Sequence, residues 1–148
     1  MPMHVTRFTD YALRVLMYLA ARENRMCTIG EIAGAYGISK NHLMKVVQEL
    51  SAQNLVEATR GKNGGLMLGK PSSEISVGAL VRSMEQGIAL VECFGDSNAC
   101  VITPACQLKH AFNEALEAFF QSLDRYTLTD LVPNKRYTEL QQLLAIPV

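Results

Sequence analysis

Two helical stretches joined by a turn at Gly37, with a glycine-rich hairpin directly after them, constrain this chain more than any other feature. Thr28 and Glu31 stand at capping-box spacing, so a helix is expected to begin there, with Ile29, Ile32, Ala33 and Tyr36 on its buried face. It stops at Gly37. Ser39 offers a fresh N-cap two residues later, and Leu43, Val46, Val47 and Leu50 then recur at helical spacing as far as about Gln53. Two short helices joined by a tight glycine-containing turn make a helix-turn-helix, an arrangement that also occurs outside DNA-binding proteins. The next segment narrows the choice. Residues 56–60 and 66–68 read as short strands around Gly61-Lys62-Asn63-Gly64-Gly65, and Asn-Gly among further glycines signals a hairpin. A hairpin with Arg60 and Lys62 at its tip, directly after the helix pair, makes a winged helix-turn-helix.

The rest of the chain reads as helical. Leu13, Leu16, Met17 and Ala20 place one helix over about Asp10 to Glu23, with Thr9 and Asp10 where an N-cap and a dipole-favoured carboxylate belong. Ser76 caps another (Val77, Leu80, Val81, Met84) that ends near Gly87. The longest periodic segment runs from about Gln107 to Arg125, with a wide aromatic stripe that includes Phe112, Phe119 and Phe120, and a shorter helix follows over about Tyr137 to Leu144. The fold class expected is mainly α with one small β-hairpin. Its divisions are a winged helix-turn-helix DNA-binding domain over 1–87, a cysteine loop over 88–106 and dimerisation helices over 107–148. A protruding amphipathic helix on a small domain is expected to pair in a C2 homodimer.

Formal net charge is zero, but the halves differ: residues 1–87 carry ten basic and seven acidic side chains, and 88–148 carry four and seven. The basic half suits a nucleic-acid partner. A recognition helix reads bases from its N-terminal turns. Ser39, Lys40, Asn41, His42 and Lys45 are therefore the candidate DNA contacts, Asn41 and His42 for base edges and the lysines for phosphates. Arg60, Lys62 and Asn63 on the wing, and Thr28 at the start of the helix pair, complete the set. Each could equally belong to a solvated polar face, and His42 could be a capping or packing histidine. No Gly-rich phosphate loop, nucleophile elbow or metalloprotease motif is present, so an enzyme is not expected.

Cys93, Cys100 and Cys106 are separated by six and then five residues. These gaps are too wide for a zinc knuckle or a Cys-x-x-Cys redox pair. Gly95, Asp96, Ser97 and Asn98 form turns, and Pro104 holds Thr103 extended. The segment reads as an irregular loop able to fold three sulfurs around one centre, a soft metal or an iron–sulfur cluster. Zinc completed by His110 or Asp10, and a thiol switch that forms a disulfide, remain open alternatives. Cys27, far from the others and beside a helix cap, reads as a structural residue. The N-terminus lacks the apolar core of a signal peptide, and no apolar run approaches the ~18 residues that span a bilayer. The expectation is a soluble cytoplasmic protein with reduced thiols and no membrane partner.

These motifs together resemble a known family. Phe8-Thr9-Asp10-Tyr11-Ala12-Leu13-Arg14, the run from Ile38 to Val47, Arg60-Gly61-Lys62-Asn63-Gly64-Gly65 and the three-cysteine loop are similar to the iron–sulfur winged-helix repressors. Leu90-Val91-Glu92-Cys93-Phe94, the run from Cys100 to Lys109 and Tyr126-Thr127-Leu128-Thr129-Asp130-Leu131 resemble that family's nitric-oxide-sensing branch. The resemblance covers nearly the whole chain. It implies a homodimer in which each subunit binds one cluster, 4Fe–4S rather than 2Fe–2S, through Cys93, Cys100 and Cys106. The loaded dimer would hold double-stranded operator DNA and repress genes of nitric oxide detoxification until nitric oxide reacts with the cluster. The branch that regulates cluster assembly, the alternative within the family, places a histidine three residues after the last cysteine. That position is Lys109 here, and His110 lies about 100° further round a helix. In the nitric-oxide-sensing branch the N-terminal Phe-Thr-Asp is associated with an oxygen ligand, which falls on Asp10; the alternative is a carboxylate that only starts a helix.

Overall fold

The computed structural model describes residues 4–22, 25–85 and 99–145, apart from the side chain of Lys135. Helix α1 (Arg7–Ala20) is followed by α2 (Ile29–Tyr36) and α3 (Lys40–Ala52), then by strands β1 (Val56–Thr59) and β2 (Gly65–Leu68). Helices α4 (Val77–Met84), α5 (Leu108–Asp124), α6 (Leu128–Leu131) and α7 (Tyr137–Leu143) complete the chain.

The helix pair forms for the reasons its sequence suggests. The Thr28 hydroxyl accepts the Glu31 N–H at 3.0 Å and starts α2, and Gly37 ends it in the left-handed region at φ 67°, where its N–H reaches the Ala33 carbonyl. Ser39 caps α3 by accepting the His42 N–H at 3.4 Å. Leu43, Val46, Val47 and Leu50 are buried as one stripe of α3, each burial worth about 1.5–3 kcal/mol. They pack against Ala12, Val15, Leu16 and Leu19 of α1 and Ile32 of α2. The α1 stripe is rotated from the expected one: Leu16 and Ala20 are buried, but Leu13 and Met17 are only half-buried. Helix α1 also begins earlier than expected. Its N-cap is Thr6, whose hydroxyl accepts the Thr9 N–H, and Thr9 lies inside the helix, fully buried.

Strands β1 and β2 pair antiparallel, Val56 opposite Leu68 and Thr59 opposite Gly65. The turn needs its glycines: a Cβ on Gly64 would sit 2.0 Å from the Thr59 carbonyl oxygen. Cys27 adds a bridge on the outer side of β2, its N–H and carbonyl exchanging hydrogen bonds with Leu66 at 3.0 and 2.7 Å. That buried cysteine is a structural residue of the wing.

A second, smaller core joins α4 to α5 through Val77, Val81 and Phe120, with Leu13 against it. The helices cross at Gly78, where an added Cβ would lie 1.9 Å from the Asp124 carboxylate and 2.6 Å from its backbone nitrogen. Arg82 bonds Glu117 at 3.0 Å and Asp124 at 2.9 Å while lying 4.8 Å over the Phe120 ring. Only Phe120 of α5 is buried. Among the described residues, no helix is long and apolar enough to cross a membrane.

Candidate DNA interface and metal centre

Ser39, Lys40, Asn41 and Lys45 all lie exposed along the N-terminal half of α3. His42 is half-buried, its ring 4.8 Å from that of Tyr11 in an edge-on arrangement. That contact braces α3 against α1 and leaves part of His42 exposed. Met44, absent from the candidates that the sequence suggests, is 44 % exposed on α3. Its place beside Leu43 disguises it as core, and only the helix phase separates the two. Arg60, Lys62 and Asn63 are exposed at the hairpin tip. Thr28 is exposed as well, but its hydroxyl oxygen is already engaged as the α2 cap.

The helix pair is held to α1 by a half-buried polar cluster. The Tyr18 hydroxyl donates to Glu31 at 2.6 Å, and Arg25 pairs with the same carboxylate. Burial first, and then the Glu31 hydrogen bond and charge, push the Tyr18 phenol up, so it stays a donor at any physiological pH. Tyr36 donates to the Arg14 carbonyl at 3.0 Å, and burial pushes its phenol up to about 12.

At the candidate metal centre, Cys93 lies outside the described residues. Cys100 and Cys106 are both thiols, the first exposed and the second half-buried immediately before α5. Between them Thr103 is not extended as expected but opens a short 3-10 turn, Thr103–Ala105, its hydroxyl donating to the Cys100 carbonyl at 2.9 Å. Cys106 Sγ accepts the Leu108 N–H at 3.3 Å, a hydrogen bond of the kind that supports sulfur carrying negative charge. The other thiol, Cys27, is fully buried and donates to the Arg25 carbonyl. Asp10 lies in the first turn of α1 and is held bidentately by Arg14, at 3.1 and 3.0 Å, with its side chain 47 % exposed. His110 is an exposed residue of α5 turned toward Glu114, at 3.8 Å. Among the described residues no three His, Cys, Asp or Glu come together. Two accessible thiols are the donor chemistry that iron–sulfur clusters select, so the residues present fit such a group.

A helix-turn-helix with a polar, exposed recognition face and a basic wing after it defines a winged-helix DNA-binding protein. A family model described as "Rrf2: Iron-dependent Transcriptional regulator" matches residues 5–134. The HTH-type transcriptional regulator NsrR of Oceanobacillus iheyensis is 48% identical over 146 residues, covering 97% of this chain and 98% of that protein. The regulator of the same name from Bacillus subtilis is 50% identical over 135 residues, 90% of this chain and 92% of that one. Among solved structures, the oxidized form of Staphylococcus aureus CymR superposes with a TM-score of 0.68 at 27% identity, covering 87% of this chain and 95% of that one. The chain belongs to the Rrf2 family: it is a DNA-binding transcriptional regulator and not an enzyme.

Proposed function

We propose that this chain is a homodimeric repressor that holds operator DNA while it carries an iron–sulfur cluster, and lets go when nitric oxide reaches that cluster. Cys93, Cys100 and Cys106 supply three thiolates and Asp10 the fourth ligand, in a 4Fe–4S centre, one per subunit. When bound, the cluster supplies iron that reacts with nitric oxide. A carboxylate leaves one iron more labile than a fourth thiolate would, which suits a sensor of a small diatomic.

The observation that carries this reading is the pair of accessible thiols at the foot of α5, on a chain about half identical to regulators named NsrR. Lys109 stands where the cluster-assembly branch has its histidine, which favours the gas-sensing branch. Residues 1–87 form the DNA-binding unit, with Lys40, Asn41 and Lys45 in the major groove and Arg60, Lys62 and Asn63 on the backbone beside it. Residues 88–106 carry the cysteines, and 107–148 pair the subunits. The exposed Leu108 (52 %) and Phe119 (43 %) on α5 support that pairing.

Native mass spectrometry on anaerobically purified protein tests the reading, before and after nitric oxide, alongside operator binding. Expected is a dimer with one cluster per subunit whose mass shifts on nitrosylation as DNA is released. Cys100→Ser and Cys106→Ser lose the iron; Cys27→Ser keeps it. A dimer holding zinc, or no metal, would overturn the sensor and leave a winged-helix regulator with a different signal.

A further inference from the structure

A recess of about 380 Å³ opens between the C-terminal end of α1 and the segment that leaves β2. Its apolar wall includes Leu19, Met67 and Pro71, and Arg22, Arg25 and Lys70 are among the residues that line the rest. Lys70 is far in sequence from Arg22 and Arg25, and the fold brings it to them. After α1 the chain turns back to bridge Leu66 at Cys27, which carries residue 25 toward the end of β2. On the other side Gly69 passes so near Asn54 that a Cβ would lie 2.4 Å from its carbonyl oxygen, which draws Lys70 in toward the same rim.

Among the described residues the charge there is unbalanced. Glu31 pairs with Arg25, and that carboxylate is already shared with the Tyr18 hydroxyl. Arg22 and Lys70 have no ion-pair partner among the described residues. A guanidinium fork suits a carboxylate or phosphate. Among the described residues three cations stand against one carboxylate, beside a wall fit for a short carbon skeleton.

We propose that this recess binds a small organic dianion, a phosphate monoester or a dicarboxylate. It is separate from the operator surface, because β2 starts at the hairpin tip and ends at the recess, roughly 10 Å or more away at ~3.3 Å per residue. A ligand there would bridge α1 and the base of the wing.

Isothermal calorimetry on the full-length protein, in a phosphate-free buffer of fixed ionic strength, tests this with glycerol 3-phosphate, succinate and, as the monoanion control, acetate. Expected is saturable binding of one dianion, with the other and acetate each at least about tenfold weaker; the preferred one identifies the class. Arg22→Gln and Lys70→Gln, each retaining length and polarity, weaken it about tenfold or more, while the wing-tip pair Arg60→Ala with Lys62→Ala leaves it unchanged. The proposal is overturned if neither dianion saturates by about 10 mM. It is equally overturned if both recess variants bind like the wild type, or if the wing-tip variant weakens binding as much as they do. None of these outcomes depends on iron, so the cluster reading stands or falls separately.

Discussion

Glu85 is the last described residue before the segment that carries Cys93, and it is 8 % exposed. Its carboxylate accepts the Thr6 N–H at 2.6 Å and the Thr6 hydroxyl at 2.8 Å, tying the end of α4 to the N-cap of α1. Glu85→Ala removes both bonds. Hydrogen bonds to a charged group are worth about 1.5–3 kcal/mol each. Thr6 is exposed and can rehydrate, so the low end applies, and the loss is about 3 kcal/mol, with a few tenths more from the helix dipole. Glu85→Gln keeps an acceptor and loses the charge, so about half of that is expected. For a chain of this size, ~2–4 °C per kcal/mol puts the alanine variant about 6–12 °C below wild type in Tm at neutral pH. The pH dependence gives a second readout. Burial raises the Glu85 pKa, but hydrogen bonds from the Thr6 backbone and the Thr9 and Thr6 hydroxyls outweigh it and hold the group below the usual carboxylate value. A depressed folded-state pKa contributes stability that is complete above the unfolded value and is lost as pH falls through the folded one. The gap between wild type and Glu85→Ala should therefore narrow on acidification. Thermal melts followed by circular dichroism from neutral pH down to about pH 3, below the ordinary glutamate value of ~4.3, decide it. An alanine variant within about 1 °C of wild type, or a gap that widens in acid, would refute the reasoning.

Two further outcomes follow from the geometry. Gly78→Ala forces a methyl into the Asp124 backbone and carboxylate, and should cost about 1–3 kcal/mol by overpacking, read as a fall in Tm; no change would mean the α4–α5 crossing is not tight. Arg60→Ala with Lys62→Ala should weaken operator binding and lower the slope of log K against log salt by about 0.9 for each phosphate no longer neutralised, measured by fluorescence anisotropy. An unchanged slope would take the wing off the DNA.

The helix pair and wing are legible in the sequence because local rules decide them: caps at Thr28 and Ser39, a stop at Gly37, glycines at a turn that admits nothing larger. Legibility fails where a distant partner decides. Thr9-Asp10 looks like a cap, which sets the start of α1 too late. The real cap is Thr6, and it is chosen by Glu85 from the far end of the domain. Nothing local marks Gly78 as a helix crossing. The α1 stripe is misphased in the sequence because Leu13 is apolar but serves the second core, against Val77, Val81 and Phe120. At the site, the polar face of α3 follows from periodicity alone, whereas the bracing of His42 by Tyr11 and the meeting of Arg22, Arg25 and Lys70 exist only once the helices are packed.

Asp10 offers the sharpest test of the ligand assignment, because its two possible roles differ in size. As a helix-start carboxylate paired to Arg14 at an exposed i,i+4 spacing, it is worth about 0.3–0.5 kcal/mol, or roughly 1–2 °C in Tm. As an iron ligand it is worth far more, since losing even an outer partner of a metal site typically costs about 10–100-fold. Asp10→Ala should therefore melt almost like wild type without iron, yet load or keep its cluster poorly and show an altered visible spectrum. Arg14→Ala separates the roles further. Arg14 holds the carboxylate and lies 5.5 Å over Tyr11 and 5.8 Å over Tyr36, so its loss destabilises the apo fold by about 1 kcal/mol from the stacked contacts. For iron its effect runs the other way. A carboxylate that must leave a guanidinium before it can ligate is freed by the change, and cluster retention should match or exceed wild type. If Asp10 only starts a helix, both variants shift stability in the same direction and neither touches the cluster. That result, with a native spectrum and a normal nitric oxide response in Asp10→Ala, would remove Asp10 from the ligand set.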